Sequence, residues 1–177
     1  LKKILMNVVF CGLTGLGNVA LKQLIKLKVD IVKVYTRKEK GKFPYFSCEN
    51  ISDFAKKNNI PVSFEEIEKD IKADLCLVST YHKKIKLNNL SFKKAINIHP
   101  SYLPHFKGRD PISNVIQNKS SFTGVTAFHM TETLDDGEII IQEKIKVDKN
   151  DDKAKLIIKM LPVYKKFTKF IIENFKT

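Results

Sequence analysis

An amide, an imidazole and a carboxylate stand in two short stretches of this 177-residue chain, Asn97-Ile98-His99-Pro100 and Thr133-Leu134-Asp135-Asp136-Gly137. Side chains alternate between the faces of a strand, so Ala95, Asn97 and His99 point one way and Ile96 and Ile98 the other. Brought together in one crevice, Asn97, His99 and Asp135 would form an acyl-transfer apparatus. The amide donates to the oxygen that gains charge, the imidazole carries the proton, and the carboxylate sustains the protonated ring. Asp136 competes with Asp135 for the third role. Neither a G-x-S-x-G elbow nor an activated cysteine is present, so attack on the acyl carbon is predicted to be direct, without an acyl-enzyme.

These side chains need a scaffold that ends where they begin. Pro100 cannot donate to a sheet ladder and Pro104 fixes the backbone again, so the strand Ala95–His99 should stop at once. That puts its tip at the carboxyl edge, where open α/β sheets place their ligands. The Asp-Gly turn lies between two strand-like runs, 124–129 and 138–147, which should pair as a hairpin near the sheet edge. Upstream, Asn7–Cys11 reads as a buried strand, Gly12–Asn18 as a glycine turn and Val19–Lys28 as a helix. Strands are predicted at Asp30–Tyr35, Val62–Phe64 and Leu75–Ser79, with a mobile loop at 39–47 and a helix capped by Ser52 that runs to Lys57. Pro111 should open a short helix, and Asp151-Asp152 should cap a last one kinked at Pro162. The order predicts one domain over 1–177 of α/β class: a Rossmann-like, doubly wound, mostly parallel sheet with flanking helices and an antiparallel edge hairpin.

The formal charge of +13 raises the question of nucleic acid, but all but two of the 32 basic residues are lysines, and they are scattered. Arginine is the residue of forked phosphate contacts, so nucleic-acid binding is not the favoured main function. Cys11, Cys48 and Cys76 show no C-x-x-C pattern and read as reduced, mostly buried thiols. With no span-length apolar run and no signal sequence, a cytoplasmic protein without membrane contact is expected. Met6 is a candidate natural start, with residues 1–5 as a leader.

The run Asn97-x-His99-Pro100-Ser101-x-Leu103-Pro104, then Gly108, Pro111 and Ile112, Gly124-Val125-Thr126 and Leu134-Asp135-x-Gly137-x-Ile139-Ile140, resembles the signature of the formyltransferase fold. Its members use 10-formyltetrahydrofolate as donor. The resemblance implies Asn97, His99 and Asp135 as catalytic residues and a folate pocket involving Tyr81, Lys83, Ile85 and Asp135. It also implies substrate contacts at Gly12, Gly15, Ser101 and Arg109, a cis Leu103-Pro104 bond and no metal. His82 reads as a surface histidine, and His129 as a second shuttle or a satisfied sheet residue. Arg109 reads equally as an anion contact or a loop residue bonding carbonyls. The glycine turn reads as a compact crossover in preference to a phosphate cradle, because neither the G-x-G-x-x-G spacing from Gly12 nor an acid ending the next strand is present.

The acceptor implied is a primary amine, foremost the amino sugar of an anionic nucleotide-linked sugar. The ribonucleotide branch carries a serine-rich phosphate loop that is absent here, and the methionyl-tRNA branch carries a further domain after the fold. Methionyl-tRNA and glycinamide ribonucleotide remain alternatives, as does water in a deformylation. A basic, catalytically silent ligand- or nucleic-acid-binding module is the alternative of another class. Nucleotide-sugar members often pair, so a homodimer is a possible assembly.

Overall fold

The computed structural model describes residues 6–175, so the expectation about a leader at 1–5 lies outside the described residues. The chain runs β1 (Asn7–Gly12), α1 (Leu16–Lys26), β2 (Asp30–Tyr35), α2 (Ile51–Lys57), β3 (Val62–Ser63), β4 (Lys72–Ser79), a 3₁₀ turn (Leu87–Asn89) and β5 (Ser91–His99). It continues through α3 (Pro111–Gln117), β6 (Phe122–His129), β7 (Ile139–Lys146) and α4 (Lys153–Glu173). The seven strands form one sheet in the order β3-β2-β1-β4-β5-β6-β7. The first five are parallel, whereas β6 pairs antiparallel with β5 and β7 with β6. The chain reverses its direction of winding between β1 and β4, which opens a crevice at the carboxyl ends of those strands.

Strand alternation divides the core in two. Val8, Phe10, Leu75, Leu77, Ile96 and Ile98 face a large cluster to which all four helices contribute. Val9, Cys11, Cys76 and Val78 face a smaller one, closed by the coil segments around Ile67 and Leu87. Both faces of β1 are covered, which explains its unbroken apolar run; burying each such side chain contributes about 1.5–3 kcal/mol. The second winding is thus coil and a single 3₁₀ turn where a helical layer was expected. Asn97 and His99 project to that thinly covered side.

Two local expectations change. Asn50, not Ser52, is the N-cap of α2, with Ser52 inside its first turn. β5 begins at Ser91, because Lys72–Ser79 offers a parallel ladder long enough to pair with the polar Ser91–Lys94. The helix α4 passes through Pro162 as one segment, anchored by Met160, Val163, Tyr164 and Phe167 in the core. Its cap is as expected: Asp152 accepts from the Lys155 amide at 2.8 Å.

Candidate functional site

β5 delivers Asn97 and His99 to the carboxyl edge, and Pro100 ends the strand. The loop that follows is pinned from β6 and β7. Thr126 Oγ1 donates to the Ser101 carbonyl (2.8 Å) and accepts from the Leu103 amide (3.1 Å), while Gln142 Nε2 donates to the Leu103 carbonyl (2.7 Å). Leu103-Pro104 is cis. Beneath the tip, the buried Tyr164 hydroxyl donates to the Ile98 carbonyl at 3.0 Å.

The reverse turn brings Asp135 back to this loop. Asp135 has a left-handed backbone (φ 50°), and its carboxylate accepts from the Gly108 amide at 2.8 Å. Next to it, Asp136 takes Lys107 Nζ at 2.5 Å in an exposed ion pair. Gly137 seats the turn against the end of β6: a Cβ there would stand 1.5 Å from the His129 carbonyl oxygen.

His99 Nδ1 lies 3.8 Å from Asp135 Oδ2, and the two side chains are only 7% and 4% exposed. The other ring nitrogen, Nε2, lies 3.3 Å from the Phe106 carbonyl oxygen, an acceptor only, so in the neutral ring Nε2 carries the proton and Nδ1 the lone pair. Burial pushes the imidazole below its ordinary value, against the opposing pull of the Asp135 charge and the Phe106 carbonyl. A neutral ring poised beside a buried acid can take a proton and pass it on. Asn97 is half-buried on the same face, and its side-chain amide bonds to nothing among the described residues.

Tyr81, Lys83 and Ile85 line a hollow of about 90 Å³ with Glu66, Ile67 and Leu90, and Lys83 Nζ donates to the Phe64 carbonyl at 3.1 Å. Asn97, His99 and Asp135 are not part of its lining. His82, expected at the surface, is half-buried instead, with its Nδ1 among the buried atoms that lack a partner; the Tyr81 hydroxyl is another. Burial pushes the Tyr81 phenol up and the His82 imidazole down.

The residues expected at the acceptor end separate. Gly12 packs against the Phe10 ring and the Ser79 carbonyl, and Gly15 (φ 102°) lies under the Phe43 ring. Ser101 is fully buried, and its hydroxyl donates to the His105 carbonyl at 2.8 Å, so it braces the loop from inside where a substrate contact was expected. Arg109 is exposed and its guanidinium has no partner among the described residues; only its carbonyl is engaged, by Asn114 Nδ2 at 3.4 Å. His129 pairs with Ile96 across the ladder and so shares the helix-covered face, opposite to His99. The brace formed by Thr126, Gln142 and Tyr164 was missed as such. Only Thr126 carried a signal, as part of the Gly124-Val125-Thr126 stretch.

Among the described residues no helix is long and apolar enough to cross a membrane. Residues 16–167 match the formyl transferase family. The methionyl-tRNA formyltransferase of Thermosipho melanesiensis is 31% identical over 184 residues, covering 96% of this chain and 59% of that protein. The one from Wolbachia sp. subsp. Drosophila simulans is 33% identical over 162 residues, 83% of this chain and 54% of its own. The chain therefore spans about three-fifths of the length of such relatives. In fold, it is similar to the sugar 3N-formyl transferase WlaRD, solved with dTDP and 5-N-formyl-THF (TM-score 0.81, 23% identity, 95% of this chain and 62% of that one). It is also similar to phosphoribosylglycinamide formyltransferase from Bacillus halodurans (TM-score 0.74, 22% identity, 93% and 95%). With the match extending from the first turn of α1 into the last turns of α4, the chain belongs to the formyl transferase family.

Proposed function

We propose that this chain moves a formyl group from 10-formyltetrahydrofolate to a primary amine. The observation that carries the reading is the buried His99–Asp135 pair beside the unpartnered Asn97 amide at one strand tip. The bound donor supplies an electrophilic formyl carbon. Asn97 donates its N–H to the oxygen that gains charge there. His99, whose Nε2–H is held by Phe106, presents Nδ1 to the incoming amine and takes its proton. Asp135 sustains the resulting imidazolium, and His99 then returns the proton to the departing nitrogen. As a neutral ring His99 acts first as a base, and it donates from Nδ1 only once that nitrogen is protonated.

The donor's bicycle is assigned to the hollow at Tyr81, Lys83 and Ile85, where the unpartnered Tyr81 hydroxyl offers a polar partner beside the apolar Ile67, Ile85 and Leu90. Its volume of about 90 Å³ is below the roughly 300 Å³ at which small-molecule sites begin, so entry requires its lining to rearrange.

Methionyl-tRNA is the acceptor best supported, since relatives of that activity are similar over nearly the whole chain. A nucleotide-linked amino sugar is the second reading, favoured by the exposed, unpartnered Arg109 beside the loop. Transfer is to be measured with one formyl donor and three amines: methionyl-tRNA, a nucleotide-linked amino sugar and glycinamide ribonucleotide. Turnover on methionyl-tRNA alone is expected; turnover on the sugar alone moves the assignment to the second reading, and none on any amine removes the formyl-transfer reading.

A further inference from the structure

The turn between β1 and α1 lies at the same sheet edge as His99. Gly12 pairs with Ser79 and Ser79 with Ile98, so the turn is two strand spacings, about 10 Å, from the reacting tip. A glycine turn opening a helix ordinarily presents backbone amides to an anion. Here the turn holds one of its own. The Thr14 amide donates to Glu39 Oε1 at 3.4 Å, and the Thr14 hydroxyl donates to the other carboxylate oxygen. The same hydroxyl accepts from the Ile51 amide at 3.0 Å. The Gly15 amide is taken by Asn18 Oδ1 at 2.9 Å, Phe43 covers Gly15, and Asn18 is fixed in turn by the Glu49 carbonyl.

Glu39 is held close. Its side chain is 13% exposed, and the nearest cation, Arg37 Nε, stands 3.7 Å away on a side chain that is itself 54% exposed. The negative charge on the turn is therefore only loosely countered.

We propose that Glu39 is a specificity-determining residue: an internal carboxylate that occupies the Thr14 amide and hydroxyl of this turn and keeps phosphate-bearing acceptor groups away from this end of the crevice. An acceptor that enters over the turn must present a neutral, hydroxyl-bearing or cationic surface to Glu39, and any phosphate it carries must lie elsewhere, toward Arg109. The inference deepens the formyl-transfer reading, since it concerns which amines reach His99. Its test is a binding measurement that stands even if no amine is formylated.

Inorganic phosphate and ribose 5-phosphate are the probes, followed by amide chemical shifts of Thr14 and Gly15 in the isotope-labelled full chain. In the wild type, neither probe should move these two amides. Glu39→Gln keeps an acceptor oxygen for Thr14 but removes the charge; it should bind phosphate on the order of tenfold tighter or more, with shifts centred on the turn. Glu39→Asp, which retains the charge, should remain unresponsive. Equal affinity in wild type and Glu39→Gln overturns the proposal. If Glu39→Gln does not fold, the wild type alone decides: phosphate-dependent shifts at Thr14 and Gly15 overturn the proposal, and their absence while other lysine-rich surfaces respond supports it.

Discussion

Two carboxylates sit at the same edge of this sheet, each held by a backbone amide of a neighbouring loop, and they serve different ends. Glu39 is met by an N–H and a hydroxyl of Thr14, both of which are fixed donors. Asp135 is met by the Gly108 amide on one side, but on the other it faces an imidazole across 3.8 Å, too long for a hydrogen bond and close enough for strong coupling. The first arrangement is closed: each carboxylate oxygen is met by a donor of Thr14. The second is open, because the proton that would complete it is missing. What separates the two acids is therefore the partner each one meets, since both stand at the same edge of the sheet.

The sharpest way to break the comparison is to remove the open site's polar groups one at a time. Asn97→Ala should lower turnover on the order of a hundredfold or more, with an unchanged urea midpoint, because its amide bonds to nothing in the resting protein. Asp135→Asn should lose a similar factor, while Thr14→Val at the closed site should lose far less. Steady-state kinetics beside urea denaturation reads all three. If Thr14→Val matched Asn97→Ala in turnover at equal folded fraction, the two carboxylates would not differ as argued.

Gly137→Ala comes next, and it strikes the open site through the backbone. The added methyl would meet the His129 carbonyl oxygen at 1.5 Å, which forces the turn off β6. A cost of about 1–3 kcal/mol in stability is expected, together with a fall in turnover as Asp135 leaves His99. Urea midpoints and kcat should fall together, whereas Gly41→Ala, strained by its φ of 79° but with nothing within 4 Å of the added Cβ, should lower the midpoint and leave kcat intact.

Thr14→Val measures the closed site on its own scale. It leaves the Glu39 carboxylate and the Ile51 amide without the hydroxyl that joins them, and about 1–3 kcal/mol of stability should go. Tyr164→Phe is smaller. It strips one donor from the Ile98 carbonyl, between Asn97 and His99, for about 0.5–1.5 kcal/mol in chemical denaturation.

These contrasts mark what could be read from the chain alone. The strand tip was legible because alternation and two prolines are local signals, and Asp135 was legible because a tight turn and the family pattern coincide. Glu39 was read only as loop, since its partner Thr14 is distant in sequence and no periodicity links them. Ser101 was misplaced for the related reason that a hydroxyl in a polar loop carries no local sign of facing inward. His129 is instructive too. Its face follows from the β5–β6 register, and with Ile96 opposite it the ring had to lie on the helix side.

The smallest expected effect is the most diagnostic for the open site. His99 lies below its ordinary value of 6.5 because burial disfavours the imidazolium, with Asp135 pulling the other way. In the unfolded chain the ring protonates near 6.5, so as the pH falls below that value the unfolded state gains a proton the folded state refuses, and stability declines until the folded value is reached. Above 6.5 the ring is neutral in both states and contributes no slope. Asp135→Asn removes the opposing charge and should depress His99 further, widening the window toward acid. Titration of the His99 ring by NMR in wild type and Asp135→Asn reads this directly. An unmoved or raised value in the variant would mean that the 3.8 Å gap carries no coupling, and Asp135 would then be as closed a carboxylate as Glu39.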